Sequence, residues 1–340
     1  MLKNINIISF TNQGAEISLK LKKLYYNACL YGKKDDENIK KLDKDIKTFT
    51  GEIFYESSVI IFISAIGIAV RSIAPYIISK DQDAAVIVID DTAKYVIPLL
   101  SGHIGRANEY AKEIAEYLHA EAVITTSTDR NNKFAVDNFA VNNNLHIKDI
   151  TKIKEISARI LKGEKVGFLS DYKVEGSMPK ELYADMQTEC GIVISKDINK
   201  LAFPVTMQLI PKEYVLGIGA RKGAEYKNLQ DFINMSLEKY NIAPYEIISI
   251  VSIDLKKEEK AINQLSKDFN LPFITYGAEV LQNVAGEFSK SDFVKSVTGV
   301  DNVCERAVKA YNSNAEIIME KTSYNGFTLA IGKISWKGKF

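Results

Sequence analysis

Two short apolar runs constrain the fold more than any other feature of this sequence. Val59–Ile63 reads VIIFI and Ala85–Asp90 reads AVIVID, and neither run alternates between apolar and polar residues. A strand covered on both faces has such a continuous apolar run, whereas a strand with one wet face alternates. Because helical patterns lie between these runs, the sequence predicts an α/β fold built on a parallel sheet.

The chain is too long for one ordinary core. It has 340 residues, and a domain usually has about 100–200. Changes of pattern predict an amino-terminal parallel-sheet α/β domain over 1–148, a small middle α/β domain over 149–211 and a carboxyl-terminal α/β domain over 212–340. The last domain is expected to end in a hairpin that turns at Asn325-Gly326.

The composition excludes several classes of protein. Basic and acidic residues nearly cancel, 44 against 43, so no nucleic-acid partner is predicted. Three cysteines without a CxxC pair, and only three histidines, predict neither a disulfide framework nor a protein metal site. The amino terminus lacks a signal-peptide pattern, and the most apolar stretch, Val59–Val70, is too short to cross a bilayer. We expect a cytoplasmic protein without a membrane partner.

The segment Ser101-Gly102-His103-Ile104-Gly105 is the most site-like feature. It precedes a clear amphipathic helix, and the first N–H groups and the dipole of a helix favour an anion. Glycine lets a ligand approach the backbone, and a neutral histidine suits a general base. The same pattern equally fits Ser101 as a helix cap, His103 as a surface residue and the glycines as a turn. Both interpretations stay open.

A second polar segment, Thr125–Asp129, follows the carboxyl end of a predicted strand. Ligands of open α/β sheets bind outside such strand ends. Asp129 or Asp137 could act as acid, base or orienting partner for His103. Turn chemistry explains the hydroxyl groups of this segment better than ligand binding does.

Two further glycine segments carry basic residues. Gly67 marks a strand-to-helix loop, and Arg71 beyond it either binds a carboxylate or lies on a helix surface. The segment Gly217–Gly223 has the spacing GxGxxxG, which matches neither the dinucleotide nor the P-loop pattern. Its Arg221 and Lys222 still suit acidic groups on a ligand. Since the sequence has no GxSxG and no HExxH motif, any hydrolysis would use an activated water.

Taken together, these segments resemble the cobalt-precorrin-5A hydrolase family of anaerobic cobalamin biosynthesis, over nearly the whole chain. In the first part of the chain the resemblance rests on Gly67-Ile-Ala-Val-Arg71, Ala74-Pro75, Lys80, Ala85–Asp90, Leu99-Leu-Ser-Gly-His-Ile-Gly105, Ala107-Asn108, Thr125-Thr126, Thr128-Asp129 and Asp137. In the last part it rests on Gly217-Ile-Gly219, Arg221, Gly223, Gly299-Val300 and Glu305. Arg106 stands where the family often has a second glycine, and Ala220-Arg221 where it often has Arg or Cys-Arg. Arg106 is therefore a weaker candidate ligand than the other basic residues.

The resemblance implies a reaction and a partner. The substrate would be a cobalt-bound, ring-contracting tetrapyrrole that carries a δ-lactone. Water would open the lactone, acetaldehyde would leave, and the product would be cobalt-precorrin-5B. Cobalt belongs to this substrate, so no cofactor or metal site of the protein itself is expected. Neighbouring enzymes of the pathway are candidate protein partners.

The resemblance and the residue chemistry together suggest roles. Catalysis is assigned to His103 with Asp129 or Asp137, and backbone N–H groups near Gly102 could stabilise an oxyanion. Substrate binding is assigned to Gly67, Arg71, Lys80, Ser101, Gly102, Gly105, Asn108, Thr126, Gly219, Arg221, Lys222 and Glu305. Two alternatives stay open: a non-catalytic tetrapyrrole carrier or scaffold of the same pathway, and a methyltransferase, because neighbouring steps of that pathway are methylations.

Overall fold

The computed structural model describes residues 5–33, 37–79, 82–126, 133–184, 187–290 and 292–340. The chain forms two compact units. The amino unit comprises Leu2–Val141 and Ile153–Glu164, and the carboxyl unit comprises Asn142–Lys152 and Lys165–Phe340. Within these described ranges, no helix has the length and apolar character that a membrane span requires.

The amino unit is built on a seven-stranded sheet with the order β3-β2-β1-β4-β5-β6-β7. Its strands are β1 (Ile5–Ser9), β2 (Cys29–Gly32), β3 (Ile39–Lys41), β4 (Val59–Ile63), β5 (Ala85–Ile89), β6 (Tyr95–Leu100) and β7 (Glu121–Ala122). Its helices are α1 (Asn12–Leu24), α2 (Ile46–Ile53), α3 (Ile66–Ile73), α4 (Ala107–Leu118), α5 (Val136–Asn142) and α6 (Lys152–Lys162).

The two apolar runs of the sequence form the centre of this sheet. Strands β1, β4 and β5 are parallel, and every residue of each is buried. One face of the sheet packs Ile61 and Ile87 in a cluster that includes Ala111 of α4, and the other packs Phe62 in a cluster that includes Ile73 of α3. The predicted parallel α/β sheet is confirmed, because only strands covered on both faces bury all their side chains.

The direction of the sheet reverses at β6. Strand β6 runs antiparallel to β5, with Val86 opposite Leu100, and β7 runs parallel to β6. A short turn follows β5, in which the Asp90 carboxylate accepts the backbone N–H of Tyr95 at 2.6 Å. Such a turn cannot make the long crossover that a parallel neighbour needs. The carboxyl end of β6 therefore lies at the edge where β4 and β5 begin, and the short strand β7 pairs with the start of β6.

The carboxyl unit contains two five-stranded sheets. The middle sheet, in the order β11-β9-β12-β13-β8, comprises β8 (Leu145–Ile147), β9 (Val166–Ser170), β11 (Leu182–Tyr183), β12 (Cys190–Ile194) and β13 (Val205–Pro211). The carboxyl sheet, in the order β16-β15-β14-β18-β17, comprises β14 (Tyr214–Ala220), β15 (Ile247–Ile253), β16 (Phe273–Tyr276), β17 (Glu316–Tyr324) and β18 (Phe327–Lys333). Its helices are α7 (Tyr226–Lys239), α8 (Lys260–Asp268), α9 (Ala278–Gln282), α10 (Asp292–Thr298) and α11 (Val303–Tyr311). Strands β10 (Val174–Glu175) and β19 (Gly338–Lys339) pair separately.

The middle sheet does not begin where the sequence analysis starts the middle domain. Strand β8 lies before residue 149, yet it pairs antiparallel with β13 at the edge of this sheet. Helix α6, expected in the middle domain, groups instead with the amino unit. The three-domain division at 148 and 211 stays a prediction.

Buried ionic contacts join the middle sheet to the carboxyl sheet. The Lys196 ammonium, just after β12, contacts the Glu213 carboxylate at 2.6 Å and the Glu246 carboxylate at 3.4 Å, and it donates to the Tyr214 hydroxyl at 3.0 Å. Both carboxylates are buried. Removing one partner of such a cluster is strongly destabilising, because the remaining charge is left without compensation.

The last residues of the chain bind to the start of the carboxyl unit. The Trp336 indole N–H donates to the Asn143 carbonyl at 2.5 Å. The Asn143 side chain accepts the Lys339 N–H at 2.6 Å and donates to the Lys339 carbonyl at 3.0 Å. Nearly two hundred residues separate these partners in sequence.

Candidate functional site

The loop that contains His103 connects β6 to α4. Helix α4 begins only at Ala107, and both Ser101 (φ 55°) and Arg106 (φ 65°) have left-handed backbone conformations. A residue other than glycine rarely adopts this conformation, since its Cβ crowds the following carbonyl group. Two such residues therefore fix the start and the end of the loop.

Two N–H groups at the start of α4 are used by the loop itself. The Ala107 N–H donates to the Ser101 carbonyl at 3.1 Å, and the Asn108 N–H donates to the Gly102 carbonyl at 3.0 Å. The Ser101 hydroxyl donates to the Asp83 carbonyl at 3.0 Å. The alternative in which the Ser101 side chain caps the helix is therefore wrong, and these two N–H groups are not available to an anion.

Gly102 and Gly105 allow close approaches within the protein. A Cβ built on Gly102 would lie 2.9 Å from the Asn108 amide oxygen, and one on Gly105 would lie 2.5 Å from the Ser101 Cβ. Asn108 is buried, and its amide donates to the Thr126 hydroxyl at 3.0 Å. Asn108 thus links the loop to the segment that follows β7. The predicted roles of these residues in binding substrate stay predictions.

His103 and Asp137 form a mostly buried pair. The His103 Nδ1 atom lies 2.8 Å from the Asp137 Oδ2 atom, and the two side chains are 12% and 8% exposed. Asp137 lies in the first turn of α5. Of the two carboxylates that the sequence offered to His103, Asp137 is in contact, whereas Asp129 lies outside the described residues.

This geometry sets the tautomer of the His103 ring. An ionised carboxylate has no proton to donate, so Nδ1 carries the proton in the hydrogen bond. The neutral ring then has its lone pair on Nε2, which is the atom able to take a proton from water. The carboxylate also stabilises the imidazolium that forms, as in histidine-based acid–base sites generally.

Gly67 lies at the other edge of the amino sheet. It is in the first turn of α3, at the carboxyl end of β4. The Arg71 guanidinium folds back over this turn, since its Nη2 atom would lie 3.2 Å from a Cβ on Gly67. The sequence analysis assigned Gly67 and the His103 loop to one substrate. Because β6 runs antiparallel to β5, however, the two lie at opposite edges of the sheet.

Two other basic residues of this unit are Lys80 and Arg106. Lys80 lies outside the described residues. The Arg106 Nε atom donates to the Glu109 carboxylate at 2.6 Å. Whether Arg106 also binds a ligand stays a prediction.

Gly217 and Gly219 are required for packing inside the carboxyl unit. Strand β14 continues to Ala220, so the loop predicted at Gly217 begins only at Arg221. A Cβ on Gly217 would overlap the Cys304 carbonyl oxygen of α11, and a Cβ on Gly219 would overlap the Thr328 hydroxyl of β18. The Cys304 thiol is buried, which raises its pKa to about 12. These glycines therefore serve helix and strand packing, a use that their spacing does not reveal.

The true loop after β14 borders an open pocket of about 580 Å³. Its lining residues are Arg221, Lys222, Gly223, Ala224, Glu225, Asn228, Asn325 and Gly326. The Arg221 N–H donates to the Gly326 carbonyl at 2.7 Å, which joins the loop to the β17–β18 hairpin. This volume lies within the usual range of small-molecule sites, roughly 300–1,000 Å³. We call these lining residues the Arg221 pocket.

Glu305 makes hydrogen bonds within the carboxyl unit. Its buried carboxylate accepts the Lys321 N–H at 2.6 Å and the Ser289 hydroxyl at 3.2 Å. These bonds hold α11 to β17. The predicted role of Glu305 in binding substrate stays a prediction.

Metal-ligand side chains are not clustered in the part of the chain that the structure describes. There, no group of three or more histidine, cysteine, aspartate or glutamate side chains is placed to hold a metal ion. The expectation that cobalt arrives only as part of the substrate is not tested by this observation.

The sheets define an α/β protein, and the mostly buried His103–Asp137 pair is its candidate acid–base site. Family models match three successive regions: "Cobalamin synthesis G N-terminal" over 48–129, "Cobalamin biosynthesis central region" over 134–211 and "Cobalamin synthesis G C-terminus" over 214–332. The chain belongs to the cobalamin synthesis G family, and the resemblance to cobalt-precorrin-5A hydrolases is confirmed.

Individual relatives match over nearly their whole length. The chain is 30% identical to cobalt-precorrin-5A hydrolase of Salmonella typhimurium, covering 97% of each chain. It is 24% identical to cobalt-precorrin-5A hydrolase of Priestia megaterium, covering 97% of this chain and 95% of that one. A solved structure of a cobalamin biosynthesis protein G homolog from Sulfolobus solfataricus is 24% identical, covers 97% of each chain and has a TM-score of 0.44.

Proposed function

We propose that this protein is a cobalt-precorrin-5A hydrolase of cobalamin biosynthesis. The relatives named cobalt-precorrin-5A hydrolase match 97% of the chain. The His103–Asp137 contact of 2.8 Å is the observation that supports the chemistry. The pair is mostly buried. A carboxylate that accepts the Nδ1 proton leaves the lone pair of the neutral ring on Nε2, as a general base requires.

The reaction opens a δ-lactone and then releases acetaldehyde. His103 Nε2 takes a proton from water as the water oxygen attacks the lactone carbonyl carbon. The ring C–O bond then breaks, which leaves a carboxylate on the macrocycle and a carbinol on the extruded carbon. Loss of the carbinol proton forms the C=O bond of acetaldehyde as the C–C bond to the macrocycle breaks. The macrocycle accepts that electron pair, and the product is cobalt-precorrin-5B.

The Arg221 pocket is proposed to hold carboxylate arms of the same substrate. Arg221 and Lys222 supply positive charge, and Asn228 and Asn325 supply amide donors. A tetrapyrrole with several acetate and propionate arms needs such separate contacts. Cobalt is bound by the substrate, and neighbouring pathway enzymes are the proposed protein partners.

Acetaldehyde release from cobalt-precorrin-5A tests this function. Aldehyde is measured by coupled reduction with alcohol dehydrogenase and NADH. We expect His103→Ala to lower kcat by about 10²–10⁴-fold, because general-base catalysis contributes that much. We expect Asp137→Asn to lower kcat by a smaller factor, since the ring loses its orienting carboxylate.

His146→Ala is the matched control for the loss of an imidazole. His146 stacks on Tyr245 in the carboxyl unit, with ring centroids 4.8 Å apart. This variant should release acetaldehyde within about twofold of the wild-type rate. Release at the wild-type rate by His103→Ala would remove the catalytic assignment, and a stable substrate complex without aldehyde would favour the carrier function.

A further inference from the structure

Helix α3 and the segment that follows it expose an apolar surface. Ile66 and Val70 are each 42% exposed, Ile77 is 45% exposed and Ile78 is 60% exposed. Ile66 and Val70 are four residues apart and so share one helix face, which exposed Ala74 continues. We call these five residues the α3 surface.

The opposite face of α3 already packs in the core. Ala69 and Ile73 are buried in the cluster that includes Phe62 and Val86. A helix at the surface of a soluble protein usually has a polar outer face, and an apolar patch there marks a binding surface. Burial in the core therefore does not explain the α3 surface.

The charge of this region favours an anionic ligand. Between Ile66 and Ser79 the only charged side chain is Arg71. The nearby Asp83 carboxylate is buried and accepts the Ile78 N–H. Arg71 is exposed, and its guanidinium lies over Gly67 beside the apolar residues. A flat apolar ring with carboxylates on its rim matches an apolar surface next to one guanidinium, because the ring covers the apolar side chains and a carboxylate pairs with arginine.

The α3 surface also reaches the loop that holds His103. The Ile78 N–H donates to the Asp83 carboxylate at 2.9 Å, and the Asp83 carbonyl accepts the Ser101 hydroxyl at 3.0 Å. Ser101 is two residues before His103. Although Gly67 and His103 lie at opposite edges of the sheet, the α3 surface extends from one edge to the other. Helix α3 has eight residues, which span about 12 Å.

We infer that the α3 surface binds the apolar face of the tetrapyrrole macrocycle, with Arg71 bound to a peripheral carboxylate and the lactone directed toward His103. This inference rests on the proposed function and adds to it the part of the protein that supports the ring. A protein could bind the α3 surface instead of the macrocycle. The macrocycle is favoured because the surface is continuous with the His103 loop.

A binding titration tests this inference with cobalt(III) uroporphyrin, a cobalt tetrapyrrole octacarboxylate that has no lactone. The absorbance change gives Kd for the wild type and for the double variant Val70→Gln with Ile78→Gln. Glutamine keeps good helix propensity and adds no charge. We expect Kd to rise roughly tenfold, because two apolar side chains no longer cover the ring. Arg71→Gln should also raise Kd and should weaken its dependence on salt.

The matched control is Leu161→Gln with Leu201→Gln. Leu161 is 41% exposed at the end of α6, and Leu201 is 70% exposed in a loop, so the control removes similar apolar surface from a helix and a loop elsewhere. Its Kd should equal that of the wild type. Equal Kd values for both double variants would overturn the inference. So would a changed sedimentation coefficient of Val70→Gln with Ile78→Gln at an unchanged Kd, because the surface would then bind protein.

Acetaldehyde release by the wild type separates this inference from the proposed function. If the wild type releases aldehyde and the α3 double variant has unchanged Kd and KM, only the α3 surface is wrong. If the wild type binds the probe through the α3 surface but releases no aldehyde, the hydrolase function is wrong and the ring-binding surface remains.

Discussion

The His103 loop and the Gly217 segment look alike in sequence and differ in structure. Each has two glycines close together, a basic or imidazole side chain nearby and a helix after it. Around His103 the chain is a true loop that brings the imidazole to Asp137. Around Gly217 the chain is still strand β14. Glycine in such a motif therefore indicates that another group lies close to the backbone. Whether the glycine serves a site or only packing depends on which atom that is.

The approaching atoms are of different kinds. At Gly102 the nearest atom belongs to the Asn108 side-chain amide, which can move, whereas at Gly217 it is the backbone carbonyl oxygen of Cys304. A backbone atom inside a packed helix–sheet layer has little freedom to shift. Substitutions at the two positions should accordingly change different properties of the protein.

The largest effect is expected from Gly217→Ala. Its methyl group would overlap the Cys304 carbonyl of α11, so we expect the free energy of unfolding to fall by about 3 kcal/mol or more. Urea denaturation followed by circular dichroism measures this change. Gly163→Ala is the control, because Gly163 has φ 78° and nothing lies within 4 Å of its Cβ position. That control should lose only about 1–2 kcal/mol, and equal losses for the two variants would contradict the packing explanation.

Gly219 allows a rescue experiment on the same strand. Gly219→Ala should lower the free energy of unfolding by about 2 kcal/mol, because its methyl group meets the Thr328 hydroxyl. Thr328→Ala removes that hydroxyl and should restore most of the loss in the double variant. Thr328→Val keeps an atom at the same place and should not. Equal rescue by both substitutions would exclude the predicted overlap.

The next effect concerns activity at the His103 loop. Gly102→Ala displaces the Asn108 amide, so we expect kcat for acetaldehyde release to fall about tenfold. The free energy of unfolding should fall by only about 1 kcal/mol, because an amide group can move a few tenths of an ångström. A stability loss as large as that of Gly217→Ala, with kcat unchanged, would show that the two segments do not differ in the way described.

A smaller effect is expected at the Arg221 pocket. Arg221→Ala and Lys222→Ala should each raise KM about fivefold and leave kcat within twofold, since these pocket-lining cations are proposed to bind carboxylates remote from the lactone. Lys227→Ala is the matched control, because Lys227 is exposed in the first turn of α7 and does not line the pocket. A KM change of the same size in Lys227→Ala would show that general surface charge, and not the pocket, causes the effect.

The smallest effect is expected from Arg106→Gly. Glycine adopts the left-handed φ of 65° without strain, which should stabilise the variant by about 1 kcal/mol. The substitution also removes the partly exposed ion pair with Glu109, which should destabilise the variant by up to about 1 kcal/mol. Stability should therefore change by less than about 1 kcal/mol, and acetaldehyde release should stay within twofold of wild type. A large loss of activity would make Arg106 a ligand after all.

The sequence predicts the sheet cores well and the direction of their edge strands poorly. Burial on both faces leaves a local signature, so the runs at Val59–Ile63 and Ala85–Ile89 are recognisable as strands. The reversal at β6 depends on the turn at Asp90, and the pairing of β8 with β13 joins residues distant in sequence. Neither pairing has a periodic signal, because register and direction are set by tertiary contacts.

The site shows the same limit. The composition of the loop singles out His103, and chemistry restricts its partner to a nearby carboxylate. Within the described residues, the carboxylate in contact with His103 is that of Asp137. The structural uses of Glu305 and Gly217 were missed, because a buried acceptor for a distant N–H group and a close backbone approach leave no pattern in the neighbouring residues.

The bonds between Asn143 and the segment Trp336–Lys339 have a consequence for synthesis on the ribosome. Asn143 emerges nearly two hundred residues before its partners, so the carboxyl unit cannot complete these bonds until Trp336 and Lys339 have been made. The sheet strands of the amino unit lie within the first third or so of the chain and can pair much earlier. Contacts of such wide separation slow folding, because the intervening chain must be ordered first. The nascent protein is therefore expected to carry a folded amino sheet while its carboxyl unit still waits for its final strand.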